Sequence, residues 1–348
     1  MPAEFRGLVE PGHLGDQHPA VQVVYPKAAA GNQDTAINEL IEAFPDHEPV
    51  PVSETDDVWQ FRLVWTSDPL FVDPGVSQAA QALYGLEWPE VGGYREIHRW
   101  GGRDVVFSMV HAWALLAGSM AVARRGGRPL GHIVHVDDHT DLGASMLQRL
   151  PAEGTLGDQV FGSKIILADP DSVVAAIRRG AVNKGNFLTA YLLGYPGARV
   201  VYVGERLHEE EFLVVGGTEP ATLGGRSFAR TRFRLDPVGS AEGTFRQTRS
   251  VPDAAVAEGA GVWLDVDLDY FSNRYNGDSD NFSAVPQPGE HEMVMRRVDR
   301  FLQELASVSW LSEIEAVSIA VSPGFFPADH WAGAIPAIRD GIRQILES

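Results

Sequence analysis

The chain has 348 residues, a formal charge of −19 and no cysteine. Its hydrophobic content of 44% is ample for a buried core, so disorder is not the default reading. The acidity disfavours nucleic acid and anionic membranes, because phosphate is held by Lys and Arg. It would attract metal ions and guanidinium groups, or serve solubility alone. Without cysteine there are no disulfides, thiolate zinc sites, iron–sulfur clusters or thiol nucleophiles.

The first residues, MPAEFRGLVEPGHLGDQHP, lack the basic and apolar regions of a signal peptide. The best apolar run, Val105–Ala123, is interrupted by His111 and several small residues and is no membrane span. A soluble, cytoplasmic protein is expected. Residues 1–60 show little periodicity and read as an N-terminal extension, lid or partner-binding arm, with one strand at Val21–Tyr25. Residues 61–348 read as one catalytic-size domain.

Within that domain, Val105–Arg124 is predicted to be a buried helix and His132–Val136 a short strand ending in acids. Asp171–Arg179 is predicted helical, with Asp169 and Pro170 as start signals, and so is Asn186–Leu193. Arg199–Val203 and Val262–Leu268 are predicted strands, the second again ending in acids. Glu290–Ala306 is an amphipathic helix whose Glu290 and Glu292 read as a solvated start favoured by the helix dipole. A strand at Val317–Val321 and a helix at Ile335–Leu346 close the chain. Strands separated by helices imply an α/β fold, a three-layer sandwich with a mostly parallel sheet. Sites in such sheets gather at the carboxyl ends of strands, where the notable acids fall.

The first acidic group is HVDDHTDLG. In an extended conformation Asp137, His139 and Asp141 point to one side. Carboxylates and an imidazole on one point favour manganese, iron or zinc. Asp138 and Thr140 then face away and act behind the ligands. The alternative is a polar turn with helix caps. The second group, WLDVDLDYF, alternates Asp265, Asp267 and Asp269 on one face. A row of like charges is self-destabilising unless a cation compensates, as in two-metal sites. The alternative is an exposed strand end. His111, in FSMVHAWALL, lies one strand–helix unit before the first group and is a candidate third imidazole; the alternative is a satisfied core histidine.

Asp137-Asp138-His139-Thr140-Asp141 resembles the Asp-x-His-x-Asp signature of the arginase, agmatinase and ureohydrolase superfamily, and Asp265-Val266-Asp267 its second acidic strand end. VDDHTDL, LDVDLDYFS, NKGNF and VSIAVSPGF are closer to the uncharacterised-protein family that includes peptide arginases. The resemblance implies an arginase-like fold. It makes His111, Asp137, His139, Asp141, Asp265 and Asp267 the ligands of two Mn2+, with Fe2+, Co2+ or Zn2+ as alternatives, sharing a bridging hydroxide. It implies hydrolysis of peptidyl arginine to ornithine with release of urea, Asp141 holding the nucleophile and passing a proton to the leaving amine. Three departures stand out. No Gly-Gly-Asp precedes His111. Leu268-Asp269-Tyr270-Phe271 follows Asp267. Ala320 stands where free-arginine enzymes carry a guanidinium-binding Glu.

Asn183, Asn186 and Asp269 are candidate substrate contacts, Asn186 equally a helix cap. His208 and His330 are candidate catalytic histidines, His208 as a proton carrier with a solvated-loop alternative. The Glu205–Gly217 loop, the N-terminal extension and the SPGFF loop offer material for a peptide groove. The partner expected is an arginine-containing peptide, with no nucleic acid and no membrane. A small-guanidine hydrolase or metal-dependent deacylase is the first alternative, and a non-catalytic peptide-binding module the second.

Overall fold

The computed structural model describes residues 21–66, 73–88, 90–204, 210–236, 243–274 and 286–348. Residues 21–65 build a unit of their own. Strands β1 (Val21–Pro26), β2 (His47–Glu54) and β3 (Val58–Trp65) pair antiparallel in the order β1-β3-β2. Alternate residues of β3, Trp59, Phe61 and Leu63, are buried with Ala36 and Leu40 of the helix Gln33–Ala43. Asn32 starts that helix by accepting the Thr35 amide on its side chain, at 2.9 Å. The same small core takes in Leu223 and Phe228 from the rest of the chain.

The remaining strands are β4 (Arg95–Trp100), β5 (Arg103–Ser108), β6 (His132–Val136), β7 (Leu147–Arg149), β8 (Thr155–Asp158), β9 (Lys164–Ile166), β10 (Arg199–Val203), β11 (Glu210–Leu223), β12 (Arg226–Asp236), β13 (Gly243–Thr248), β14 (Val262–Asp267) and β15 (Ile314–Ala320). Strands β7 to β9 form a small antiparallel sheet. The others form the central sheet, in the order β12-β11-β13-β10-β6-β14-β15-β5-β4. From β13 to β5 neighbours are parallel; β11, β12 and β4 are antiparallel additions at the edges.

Two cores flank this sheet, because side chains alternate along each strand. Val134, Leu264, Val266, Val317 and Ile319 pack with Val294, Val298 and Phe301 of the helix Glu290–Ser307 and with Ile335, Ile338 and Ile342 of the helix Trp331–Glu347. Ile133, Trp263 and Ala316 face the other way, onto the helices Ala114–Arg124, Pro170–Arg178 and Phe187–Gly194. Helices therefore cover both faces of a mostly parallel sheet, as the strand–helix alternation predicts. Among the described residues no helix is long and apolar enough to cross a membrane.

The expected helix over Val105–Arg124 is corrected. Residues up to Ser108 belong to β5, His111–Trp113 form one 3-10 turn, and the α-helix starts at Ala114. A short fully buried strand and a buried helix both read as continuous apolar sequence. The β-branched Val105 and Val106 and the aromatic Phe107 favour the pleated surface between β15 and β4. The expected loop at 210–217 is also strand, part of the β11–β12 hairpin.

The last helix is tied to the sheet edge by an ionic contact. Arg339 donates to Glu96 of β4 at 2.6 and 3.2 Å and lies over the Phe107 ring, 4.4 Å from its centre. Burial opposes ionisation of Glu96, but hydrogen bonds from His98, Tyr94 and Arg339 outweigh it and hold the carboxyl down at about 2. A depressed carboxyl stabilises the fold fully above its unfolded value and loses that contribution as pH falls through the folded one. Glu96→Gln should therefore lower stability on the order of 2 kcal/mol at neutral pH. The gap to the unchanged protein should narrow below about pH 4.5. Denaturant titrations at several pH values measure it, and a pH-independent gap would refute the ionic account.

Candidate metal centre

Four neighbouring strands deliver the site. Strands β6, β14, β15 and β5 lie side by side and parallel, so their carboxyl ends share one edge of the sheet. Asp137 follows β6, Asp265 and Asp267 end β14, His111 follows β5 and Ser322 follows β15. The pairing of β6 with β14 sets Asp265 opposite His135. Both acidic groups of the sequence thus meet.

His111 sits in the midst of the carboxylates. Its Nδ1 is 2.8 Å from Asp267, 3.0 Å from Asp141 and 3.1 Å from Asp137; its Nε2 is 3.1 Å from Asp265. One N–H cannot serve three acceptors, and Oδ2 of Asp137 and of Asp141 is buried without a hydrogen-bond partner. His139 approaches from the other side, with Nδ1 2.9 Å from Asp269 and 3.5 Å from Asp137. Two groups of side chains have ligand atoms close enough to hold a metal ion: His111, His135 and Asp137, and Asp137, His139 and Asp269. Asp137 belongs to both. Five aspartates against three imidazoles leave negative charge over, even with every imidazole protonated. The donor set is carboxylate and imidazole, suited to Mn, Fe or Zn. The orphaned carboxylate oxygens and the excess charge both fit a cation.

Local structure holds these groups in place. The Asp137 side chain accepts the His139 amide at 2.6 Å, and the Asp267 side chain the Asp269 amide at 3.1 Å, so each acidic loop folds back on its own first carboxylate. Ser318 donates to Asp265 and Ser322 to Asp267, both at 2.5 Å. Asp141 and Ser322 adopt φ of 49° and 51°, a left-handed backbone that non-glycine residues rarely take and that clusters at functional sites.

Environment splits the titrations. Burial disfavours a charged His111, but Asp265 and Asp267 raise it well above its usual value. His135 is raised to about 9: burial opposes this, while Asp137 and Asp265 drive it. His139, too, is raised, by Asp269 and Asp137 against burial. Burial would raise Asp265, yet His111 and His135 bring it down to about 2; Asp137 is likewise held well below the carboxylate range by His135 and His111. Burial and the charge of Asp137 push Asp141 up to about 6, and burial with Asp267 and Asp137 pushes Asp269 well up.

Of the six expected ligands, His111 meets Asp137, Asp141, Asp265 and Asp267, and His139 meets Asp137; Asp269, expected among substrate contacts, stands beside His139. Asn183 and Asn186 form a self-bonded turn: the Asn183 amide donates to the Asn186 side chain at 2.9 Å, and the Gly185 amide to the Asn183 side chain at 3.1 Å. His330 belongs to a second ionic group, near Glu290 at 3.4 Å, Arg274 at 3.4 Å and His291 at 3.3 Å. That group corrects the solvated reading of Glu290, which is buried and meets Arg274 at 3.1 Å. His208 lies outside the described residues.

Sequence reasoning passed over His135. It is fully buried, with Nδ1 2.7 Å from Asp265 and Nε2 2.9 Å from the His139 carbonyl. The period of two that selects Asp137, His139 and Asp141 extends back to it. Ser318 and Ser322 carried no signal, since only the neighbouring strand ends bring them to the aspartates. The chain matches no protein-family model and no curated protein, so the chemistry of the centre rests on its own residues.

Histidines held protonated at neutral pH must give up protons to bind a metal. Uptake of Mn2+ by the chelator-treated protein should release protons, and its affinity should rise by about tenfold or more between about pH 6.5 and 8.5. Calorimetry in buffers of different ionisation enthalpy counts those protons. Uptake without proton release would contradict the charge state assigned to His111 and His135.

Proposed function

We propose that the chain is a dinuclear-metal hydrolase of guanidinium groups on an arginase-like fold, converting peptidyl arginine to ornithine with release of urea. The observation that carries this reading is the convergence of both acidic strand ends with His111 and His139, with Asp137 common to two ligand groups. His111, His135 and Asp137 would hold one ion, with Asp141, Asp265 and Asp267 against His111, and Asp137, His139 and Asp269 would hold the other. Bound there, two such cations, Mn2+ by preference, would supply Lewis acidity and lower the pKa of a water between them.

The chain's own groups supply the rest. Asp141 would hold the nucleophile and pass a proton to the departing amine. In the overall reaction the water oxygen bonds to the guanidinium carbon, the bond from that carbon to the side-chain nitrogen breaks, and the proton taken up at Asp141 passes to the departing amine. Urea and an ammonium-bearing ornithine side chain result, so charge and atoms balance. Ser318 and Ser322 hold Asp265 and Asp267 in place, and the Phe325 ring centre lies 5.2 Å from that of His139.

A metal-dependent deacylase remains the second reading, favoured by Ala320, which ends β15 and brings no carboxylate. The two part on products: urea and ornithine against a free carboxylate. A non-catalytic peptide module is disfavoured by so many carboxylates buried together, since binding alone does not require them.

Arginine-containing peptides incubated with the Mn2+-loaded protein should release urea and lose the mass of its carbodiimide part, while free arginine and agmatine react poorly. Chelation should abolish turnover, and Asp267→Ala should lower it by roughly three orders of magnitude or more. Undiminished urea release after exhaustive chelation would end this reading.

A further inference from the structure

A pocket opens beside the metal centre, with His111 and Ser322 among its lining residues. Its walls come from three separate regions: Asp46 and Trp65 from the N-terminal unit, Trp88 and Gly92 from the segment before β4, and Lys184 and Phe325 from the two loops that flank the centre. Trp65 lies so close to Gly92 that a Cβ there would stand 2.5 Å from the indole, so only glycine admits it. The unit is further pinned by His47, whose Nε2 is 2.9 Å from the Arg178 carbonyl, and by Asp46, whose Oδ2 accepts the Lys184 amide at 2.8 Å.

Asp46 is only 3% exposed, and its second oxygen, Oδ1, is buried with no hydrogen-bond partner. The Lys184 ammonium stands 3.6 Å from it, beyond hydrogen-bond reach, on a side chain 29% exposed and resting over the Phe325 ring. That oxygen faces only the Lys184 ammonium, at ion-pair distance, so a donor entering from the pocket would bond it more directly. The indole N–H of Trp88 is a second buried group without a partner, a donor suited to a carbonyl. Trp65, Trp88 and Phe325 supply apolar and π surface for an alkyl stem and a planar cation. Among the described lining residues Asp46 is the only carboxylate.

We propose that Asp46, carried into the pocket by the N-terminal unit, is the residue that recognises the substrate's cationic guanidinium side chain, in place of a carboxylate on the last strand. This rests on the hydrolase reading for the fate of the substrate, not for its capture. Lys184 is the counter-charge that the substrate's cation displaces. Asp46 does not touch the cleaved bond by necessity; it selects charge.

The probes are a pair of short peptides identical except for arginine in one and its neutral isostere citrulline in the other, with Mn2+-loaded full-length protein. The unchanged protein should bind the arginine peptide about tenfold tighter or more. Asp46→Asn keeps the acceptor for the Lys184 amide but removes the charge. It should erase that preference while leaving the thermal shift produced by Mn2+ unaltered, and should raise KM far more than it lowers kcat. Lys184→Met removes the competing cation and should tighten arginine-peptide binding several-fold, a gain that misfolding cannot imitate. Preference for arginine surviving in Asp46→Asn, no preference in the unchanged protein, or weaker binding by Lys184→Met would each overturn the proposal. A protein that discriminates charge through Asp46 yet releases no urea would retain this inference and lose the hydrolase reading. Urea release without charge discrimination would do the reverse.

Discussion

Two acidic strand ends lie next to each other at the middle of a buried sheet, and the carboxylates they carry would repel one another without help. Removing a carboxylate from water costs several kcal/mol even after relaxation, and like neighbours add to it. The chain meets this in layers. Imidazoles stand between the acids, Ser318 and Ser322 donate from the adjoining strand, and backbone amides of His139 and Asp269 close on Asp137 and Asp267. Asp141 and Ser322 accept left-handed backbone to complete the ring. Such strain persists only where the surroundings over-determine it. Here the surroundings are the central parallel strands, covered on both faces by helices.

The legible part of this arrangement was the part written in periodicity. Alternating acids after an apolar run name the face they share, and the strand–helix alternation places those strands in one parallel sheet with a common carboxyl edge. The sequence could also rank His111 as a partner, although it lies at a strand–helix junction rather than inside a helix. What stayed hidden follows from the same rules. Val105–Ser108 is apolar on both sides because both sides are buried, so no period marks it as strand. His135 sits within an apolar run and is read as filling, yet it obeys the same alternation as the acids that follow. Ser318, Ser322 and Glu290 act through residues distant in sequence, and nothing local announces that.

The N-terminal unit shows the limit most clearly. Strand β3 carries alternating buried residues, but β1 is short, β2 is exposed over its second half, and Gly, Pro and acids dilute the pattern around them. The unit earns its stability partly from the main body: Leu223 and Phe228 complete its core, and Trp65 settles against Gly92. Docking of this kind depends on shape at a single glycine and on a few tertiary hydrogen bonds. Its consequence is chemical, since it sets Asp46 and Trp65 in the wall of the pocket that reaches His111.

Environment drives the titrations of the centre's carboxyls apart. Asp137 and Asp265 are kept ionised by the imidazoles around them, which is the state a ligand needs. Asp141 and Asp269 are pushed the other way, by burial and by the charge of their neighbours. Carboxyls whose environments drive their titrations apart are the usual basis for separate acid and base roles in one site. Of the two raised groups, Asp269 is engaged by the Asp138 amide and by His139, so its proton has little freedom. Asp141 retains an oxygen with no hydrogen-bond partner, on a backbone held in an unusual conformation. The hydrolytic reading proposed above gives the proton-carrying role to Asp141, whose side chain meets Nδ1 of His111 at 3.0 Å.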